Sequence, residues 1–216
     1  MTAWLKFHYP VEFMCAILNA SELDRISLAV KECSTMGVSV ISPDINRSEM
    51  QFSDYNGKIL YGLAAIKGIS SASMQEMIEE RKKGKFQNYC DLLARVSIGK
   101  ADMEKLIVSG ALDKCGFSRT ALKNAILPAF AIKNKYIKDY TTEEICRKLK
   151  EEISLSQSSD KENWLLQLNE EKELLGAYIS GHPLEQFKLL KADKSITPLS
   201  HAEAEKPQIY MGVISN

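Results

Sequence analysis

The run Leu63-Ala64-Ala65-Ile66-Lys67-Gly68-Ile69-Ser70-Ser71-Ala72 has residue types and spacing suited to chemistry. A short apolar helical segment at 62–67 meets a second helical pattern at 72–81 across a tight Gly-Ile-Ser-Ser connection. A chain that turns this sharply into a helix leaves several backbone N–H groups pointing one way. Those donors and the positive end of the helix dipole suit a phosphate oxygen. Gly68 lets a second backbone approach closely. Lys67 adds positive charge beside the turn, and Arg81, Lys82, Lys83 and Lys85 add it at the far end of the second helix. The expected phosphate-binding set is therefore Lys67, Gly68, Ile69, Ser70, Ser71, Arg81, Lys82, Lys83 and Lys85. None of these reads a base edge, so binding would be indifferent to sequence and weakened by salt.

The pattern is that of a helix-hairpin-helix, with Ser70 in place of the second glycine. Serine still caps a helix, but its Cβ limits how closely a ligand approaches. A purely structural reading stays open, because helical hairpins are common packing units. A basic run such as Arg81–Lys85 also complements the negative end of a helix dipole.

Other chemistry finds little support. His8, His182 and His201 lack metal-ligand spacing, and Cys15, Cys33, Cys90, Cys115 and Cys146 form no CxxC pair. Buried, idle thiols are expected. Acidic pairs such as Glu143-Glu144, Glu151-Glu152 and Glu170-Glu171 read as solvated helix faces, and Trp4 and Trp164 as core anchors. There is no GxSxG, Walker A loop or GxGxxG. No catalytic residue, metal ligand or cofactor is expected in these residues.

The elements that must position the hairpin are mostly helical. Pro10 precedes an apolar helix at 11–18, and Ile26, Ala29, Val30 and Cys33 form one stripe of a second that ends at Gly37. Residues 38–41 alternate weakly. Asn56-Gly57 favours a type I′ turn, predicting a β-hairpin of residues 51–53 and 58–61. Helices are expected at 86–95 and 102–109. A long one should run from Arg119, capped by Ser118, to about Glu152, with Pro128 starting a new helix or kinking this one. Residues 153–161 are a serine-rich linker. A helix at 164–180 stops at Gly181 and Pro183. Residues 207–216 begin to read as a single strand, as if the chain were cut from a larger protein.

The chain has 216 residues, of which 45% are hydrophobic and 26% charged. That is an ordinary globular mix, with length enough for a real core. The formal net charge is zero, but residues 58–123 carry 12 basic against 7 acidic side chains. An anionic partner would dock there. The apolar run 125–132 is short and holds Pro128, and no signal peptide is visible, so a cytoplasmic protein without a membrane partner is expected.

Several stretches, in order, resemble the alpha subunit of bacterial DNA polymerase III, the C-family replicative polymerase. Lys6-Phe7-His8-Tyr9-Pro10-Val11-Glu12-Phe13-Met14, and Glu32-Cys33 through Asp44-Ile45-Asn46, resemble the end of its fingers region. Tyr61 through Gly68 is similar to the start of its tandem helix-hairpin-helix domain. Leu106-Ile107 with Gly110-Ala111-Leu112-Asp113 is similar to the second half of that domain. Leu175-Gly176 with Tyr178-Ile179-Ser180-Gly181-His182-Pro183-Leu184 resembles the approach to its OB fold, and Met211-Gly212-Val213-Ile214 the first OB strand.

The resemblance implies a mainly α fold: a tandem helix-hairpin-helix domain with a small β-hairpin and a truncated first OB strand. The fingers end spans 1–50, the β-hairpin and tandem domain 51–152, a linker and connecting helix 153–206, and the OB start 207–216. It implies a duplex-DNA-binding module in DNA replication, inactive alone. The family's catalytic aspartates and their Mg lie in a palm upstream of these residues. Double-stranded DNA and other replicase subunits are the implied partners. The aligned place of the family's sliding-clamp peptide, residues 152–156, has Glu for Gln and Ser for the aromatic anchor, which argues against clamp binding. A helical protein-interaction domain, or the same region of an error-prone paralogue, are the competing readings.

Overall fold

The computed structural model describes residues 2–136, 144, 147, 148, 150, 151, 164–183, 196–198 and 209–211. Cys146, the linker at 153–161 and the peptide at 152–156 lie outside them. Met1–Ser180 form one compact unit and Gly181–Asn216 a second.

The first unit is mainly helical. α1 (Thr2–His8) and α2 (Pro10–Ala20) lead to α3 (Ile26–Thr35). Pro10 supplies the pre-set φ of a first helical turn. Met14 and Leu18 of α2 bury against the stripe Ile26, Ala29 and Cys33 of α3, as the spacing predicts. Trp4 departs from expectation. It is 56% exposed, its ring tilted against those of His8 and Tyr9, and α1 buries no residue at all. A seven-residue helix that buries none of its side chains has no core to anchor.

β1 (Val40–Ile41), β2 (Ser53–Tyr55) and β3 (Lys58–Leu60) form a sheet ordered β1-β3-β2. Asn56 and Gly57 both take positive φ (54° and 74°), the geometry a type I′ turn needs. The hairpin register sits slightly off the sequence expectation: Ser53 faces Leu60 and Tyr55 faces Lys58. β1 pairs in parallel with β3, so Val40–Ile41, the last two of the weakly alternating residues 38–41, and the hairpin share one sheet.

Two asparagines brace this region by imitating a strand. The Asn19 Nδ2 donates to the Phe52 carbonyl (3.0 Å) while its Oδ1 accepts from the Phe52 amide (2.8 Å). Asn46 makes the same reciprocal pair with Phe86, at 2.8 and 2.7 Å. Each satisfies two buried backbone groups that no ladder reaches.

Beyond a 3-10 turn at Leu63–Ala65 come α4 (Ser71–Lys83), α5 (Tyr89–Arg95), α6 (Lys100–Val108), a second 3-10 turn (Asp113–Cys115) and α7 (Arg119–Tyr136). Ser118 Oγ accepts from the Ala121 amide at 3.2 Å, the expected cap. Pro128 lies inside α7, which continues past it. α8 (Trp164–Leu175) ends sooner than the Gly181-Pro183 signal suggests. Gly176, at φ +77°, donates to the Lys172 carbonyl at 2.7 Å and terminates it.

One core runs through these helices, from Met14 and Tyr61 to Leu93, Leu106 and Phe130. Burial pushes the Cys15, Cys33 and Cys115 thiols up to about 11, which favours the protonated thiol at neutral pH. No helix of the described residues is long and apolar enough to cross a membrane. In the second unit β4 (Ile196–Pro198) pairs in parallel with β5 (Ile209–Met211), so the expected terminal strand has a partner.

Candidate nucleic-acid interface

The first hairpin is exposed. Lys67, Gly68, Ser70, Ser71 and Ala72 face solvent, while Ile66, Ile69, Met74 and Met77 anchor the turn and helix beneath them. Gly68 takes φ +75°, which favours glycine. A Cβ there would meet the Lys105 ammonium at 3.0 Å. The amides of Ser71 and Ala72 stand in the open first turn of α4, where no intrahelical acceptor exists.

α6 clasps this turn from the side. Lys105 Nζ donates to the Gly68 carbonyl. Three residues earlier, on the same helix face, Asp102 Oδ2 accepts from the Ser70 amide (3.3 Å) and the Ser73 hydroxyl (2.9 Å). Ser70 makes no side-chain cap of its own. The Lys67 amide donates to the Leu174 carbonyl at 3.3 Å, tying the turn to α8. Two of the hairpin's donors are therefore already taken, and the outward amides are those of the first turn of α4.

The basic residues divide into two groups. Lys67 and the half-buried Lys105 stand at the hairpin. Lys82, Lys83 and Lys85 are exposed at the other end of α4, about 18 Å away at 1.5 Å per residue. Lys82 pairs with Glu79 at 2.6 Å, and Lys83 pairs with Glu80.

Arg81 does not stand with them. Its side chain is only 10% exposed, and it donates to the Ser48 carbonyl (2.5 Å), the Ile45 carbonyl (3.3 Å) and Glu49 (2.6 Å). These partners lie more than thirty residues away in sequence, so the basic run at 81–85 gives no sign of them. Arg81→Met should destabilise the fold by about 2–3 kcal/mol, the scale of charge-assisted hydrogen bonds. A urea titration reads that loss, and the folded variant should still respond to salt as the parent does.

The second hairpin is built differently. Ser109, Gly110, Ala111 and Leu112 are all buried. A Cβ at Gly110 would lie 2.4 Å from Arg119 Nη2, so the guanidinium plugs the turn where the first hairpin is open. Arg119 donates twice to Asp113 (2.8 and 2.6 Å), to the Val108 carbonyl (3.1 Å) and to Glu171 (2.8 Å). Burial pulls its pKa down, but the bonds to Asp113 and Glu171 more than offset this and the net shift is upward.

Glu171 corrects the sequence reading most sharply. It is fully buried, and it accepts from Arg119, the Ile179 amide (3.0 Å), the Ser180 amide (2.7 Å) and the Ser180 hydroxyl (2.5 Å). The signal was present: 168, 171 and 175 share one helical face, and Leu168 and Leu175 are its apolar members.

Residues 37–122 match the family model described as a helix-hairpin-helix motif. The chain is 36% identical over 200 residues to DNA polymerase III subunit alpha of Escherichia coli, covering 86% of this chain and 17% of that protein. It is 33% identical over 232 residues to the subunit of Treponema pallidum (99% of this chain, 20% of the relative). Against the Campylobacter jejuni subunit it is 32% identical over 203 residues (86% and 17%). The chain thus spans about a fifth or less of the length of these relatives, and over most of its own length it is similar to them.

Proposed function

We propose that this chain is a sequence-independent duplex-DNA-binding segment of a replicative polymerase alpha subunit, gripping the template through its phosphates. The exposed Gly68 hairpin carries the reading: it delivers the open first turn of α4 to solvent with Lys67 and Lys105 beside it. Backbone amides and lysines recognise phosphate but not base identity, which suits an enzyme that must hold every sequence alike. Lys82, Lys83 and Lys85 extend the footprint. Their distance along α4 corresponds to about five base pairs at 3.4 Å each. Polymerisation itself, its metal ions and the other replicase subunits are assigned to the parent assembly.

Fluorescence anisotropy with two unrelated duplexes tests the proposal. Kd should be roughly 10⁻⁴–10⁻⁶ M at physiological salt, alike for both sequences. Lys67→Glu should weaken binding to both equally and flatten the salt slope by about one. The double change Lys82→Glu, Lys83→Glu should do the same at the distal end. Binding that ignores salt, or none at all, sinks the reading.

A further inference from the structure

We infer that Asp102 is a built-in competitor beside the phosphate seat of the first hairpin, so that DNA binds the open first turn of α4 against a carboxylate the chain supplies itself. The inference rests on the DNA-binding reading above and deepens it.

The geometry is specific to this carboxylate. Asp102 Oδ2 takes the Ser70 amide at 3.3 Å and the Ser73 hydroxyl at 2.9 Å, one donor from the turn and one from the first turn of α4. An anion bound on the Ser71 and Ala72 amides at this helix start would sit beside the same carboxylate. The carboxylate comes from α6, a different element, and Lys105 of the same helix holds the Gly68 carbonyl. α6 therefore brings its charge to the hairpin from outside, and no residue of the turn caps it. Two consequences follow. The unliganded hairpin keeps its shape, because the Ser70 amide and the Ser73 hydroxyl are satisfied. An incoming phosphate also meets a negative charge beside the seat, which keeps the grip weak.

Asp102→Asn separates charge from shape. The amide oxygen still accepts from Ser70 and Ser73, but the negative charge is gone. The control is Glu104→Gln on the same helix, an exposed carboxylate with no hydrogen bond or ion pair among the described residues. Asp102→Ser is the second uncharged variant should Asn fail to fold. Anisotropy against one duplex at low and moderate salt should show Asp102→Asn binding about fivefold tighter, the scale of a charge at a helix start. Glu104→Gln should gain less than about twofold. An unchanged or weaker Asp102→Asn, or an equal gain in both variants, overturns the competitor and leaves DNA binding standing. Failure of wild type and every variant to bind duplex would instead overturn the DNA-binding reading.

Discussion

Replacing Glu171 with alanine should cost about 3–5 kcal/mol of stability, the range for removing one partner of a buried ion pair. The side chain is fully buried and satisfies four donors, two of them backbone amides. Alanine would strand the Ile179 and Ser180 N–H groups and leave Arg119 relying on Asp113 and one carbonyl. Glu171→Gln keeps the volume and one acceptor oxygen, so its loss should be roughly half as large. Urea unfolding gives both numbers. Native-state hydrogen exchange gives the location: amides 179 and 180 should lose protection first, ahead of α2 and α3. Equal stability in wild type and Glu171→Ala would mean that the carboxylate does not hold α8 to the second hairpin.

The same network shows what gives the two hairpins different roles. Both carry a glycine at positive φ, 75° at Gly68 and 81° at Gly110. At Gly110 the space above the turn is filled by Arg119, itself held by Asp113 and Glu171. At Gly68 it is bordered by Lys105 and Asp102, and the first turn of α4 stays open. One hairpin serves as internal support and the other as surface. That division cannot be read from the two turn sequences, because it depends on side chains supplied by α6, α7 and α8.

What was legible followed local rules. Asn56-Gly57 declared its turn, Pro10 its helix start and Ser118 its cap, because each acts through backbone within a few residues. Trp4, Arg81 and Glu171 depart from expectation because residue type alone does not show the distant partners that a side chain has or lacks. A tryptophan is a core anchor only where something packs over it. A basic run lies on the surface only if no carbonyls 33 and 36 residues back, at Ser48 and Ile45, claim one of its members. The parallel pairing of β1 with β3 is non-local in the same way. For the candidate site, the turn and Lys67 were visible in sequence. Lys105 and Asp102 were not, since they reach the hairpin from a helix more than thirty residues on.

Gly62→Ala is the clearest case of a constraint that local sequence hides. Gly62 does not need positive φ: its φ is −77°, open to any residue. Yet a Cβ there would lie 2.5 Å from the Gln51 carbonyl carbon, 2.6 Å from the Phe52 nitrogen and 2.9 Å from the Met50 oxygen. All three are backbone atoms, so no rotamer change relieves the clash. The segment is also pinned on both sides. The Leu63 and Ala64 amides donate to the Glu49 and Met50 carbonyls, each at 2.9 Å, and Asn19 grips Phe52. Moving residues 50–52 away would break those bonds. Gly62→Ala should therefore lose about 3 kcal/mol or more, at the upper end of overpacking costs. Gly57→Ala makes the opposite comparison. It has positive φ (+74°) but nothing within 4 Å of a new Cβ, so its cost should stay near 1 kcal/mol. Thermal or urea unfolding of the pair decides it. If Gly62→Ala is the milder of the two, the close approach of residues 50–52 is not what requires glycine there.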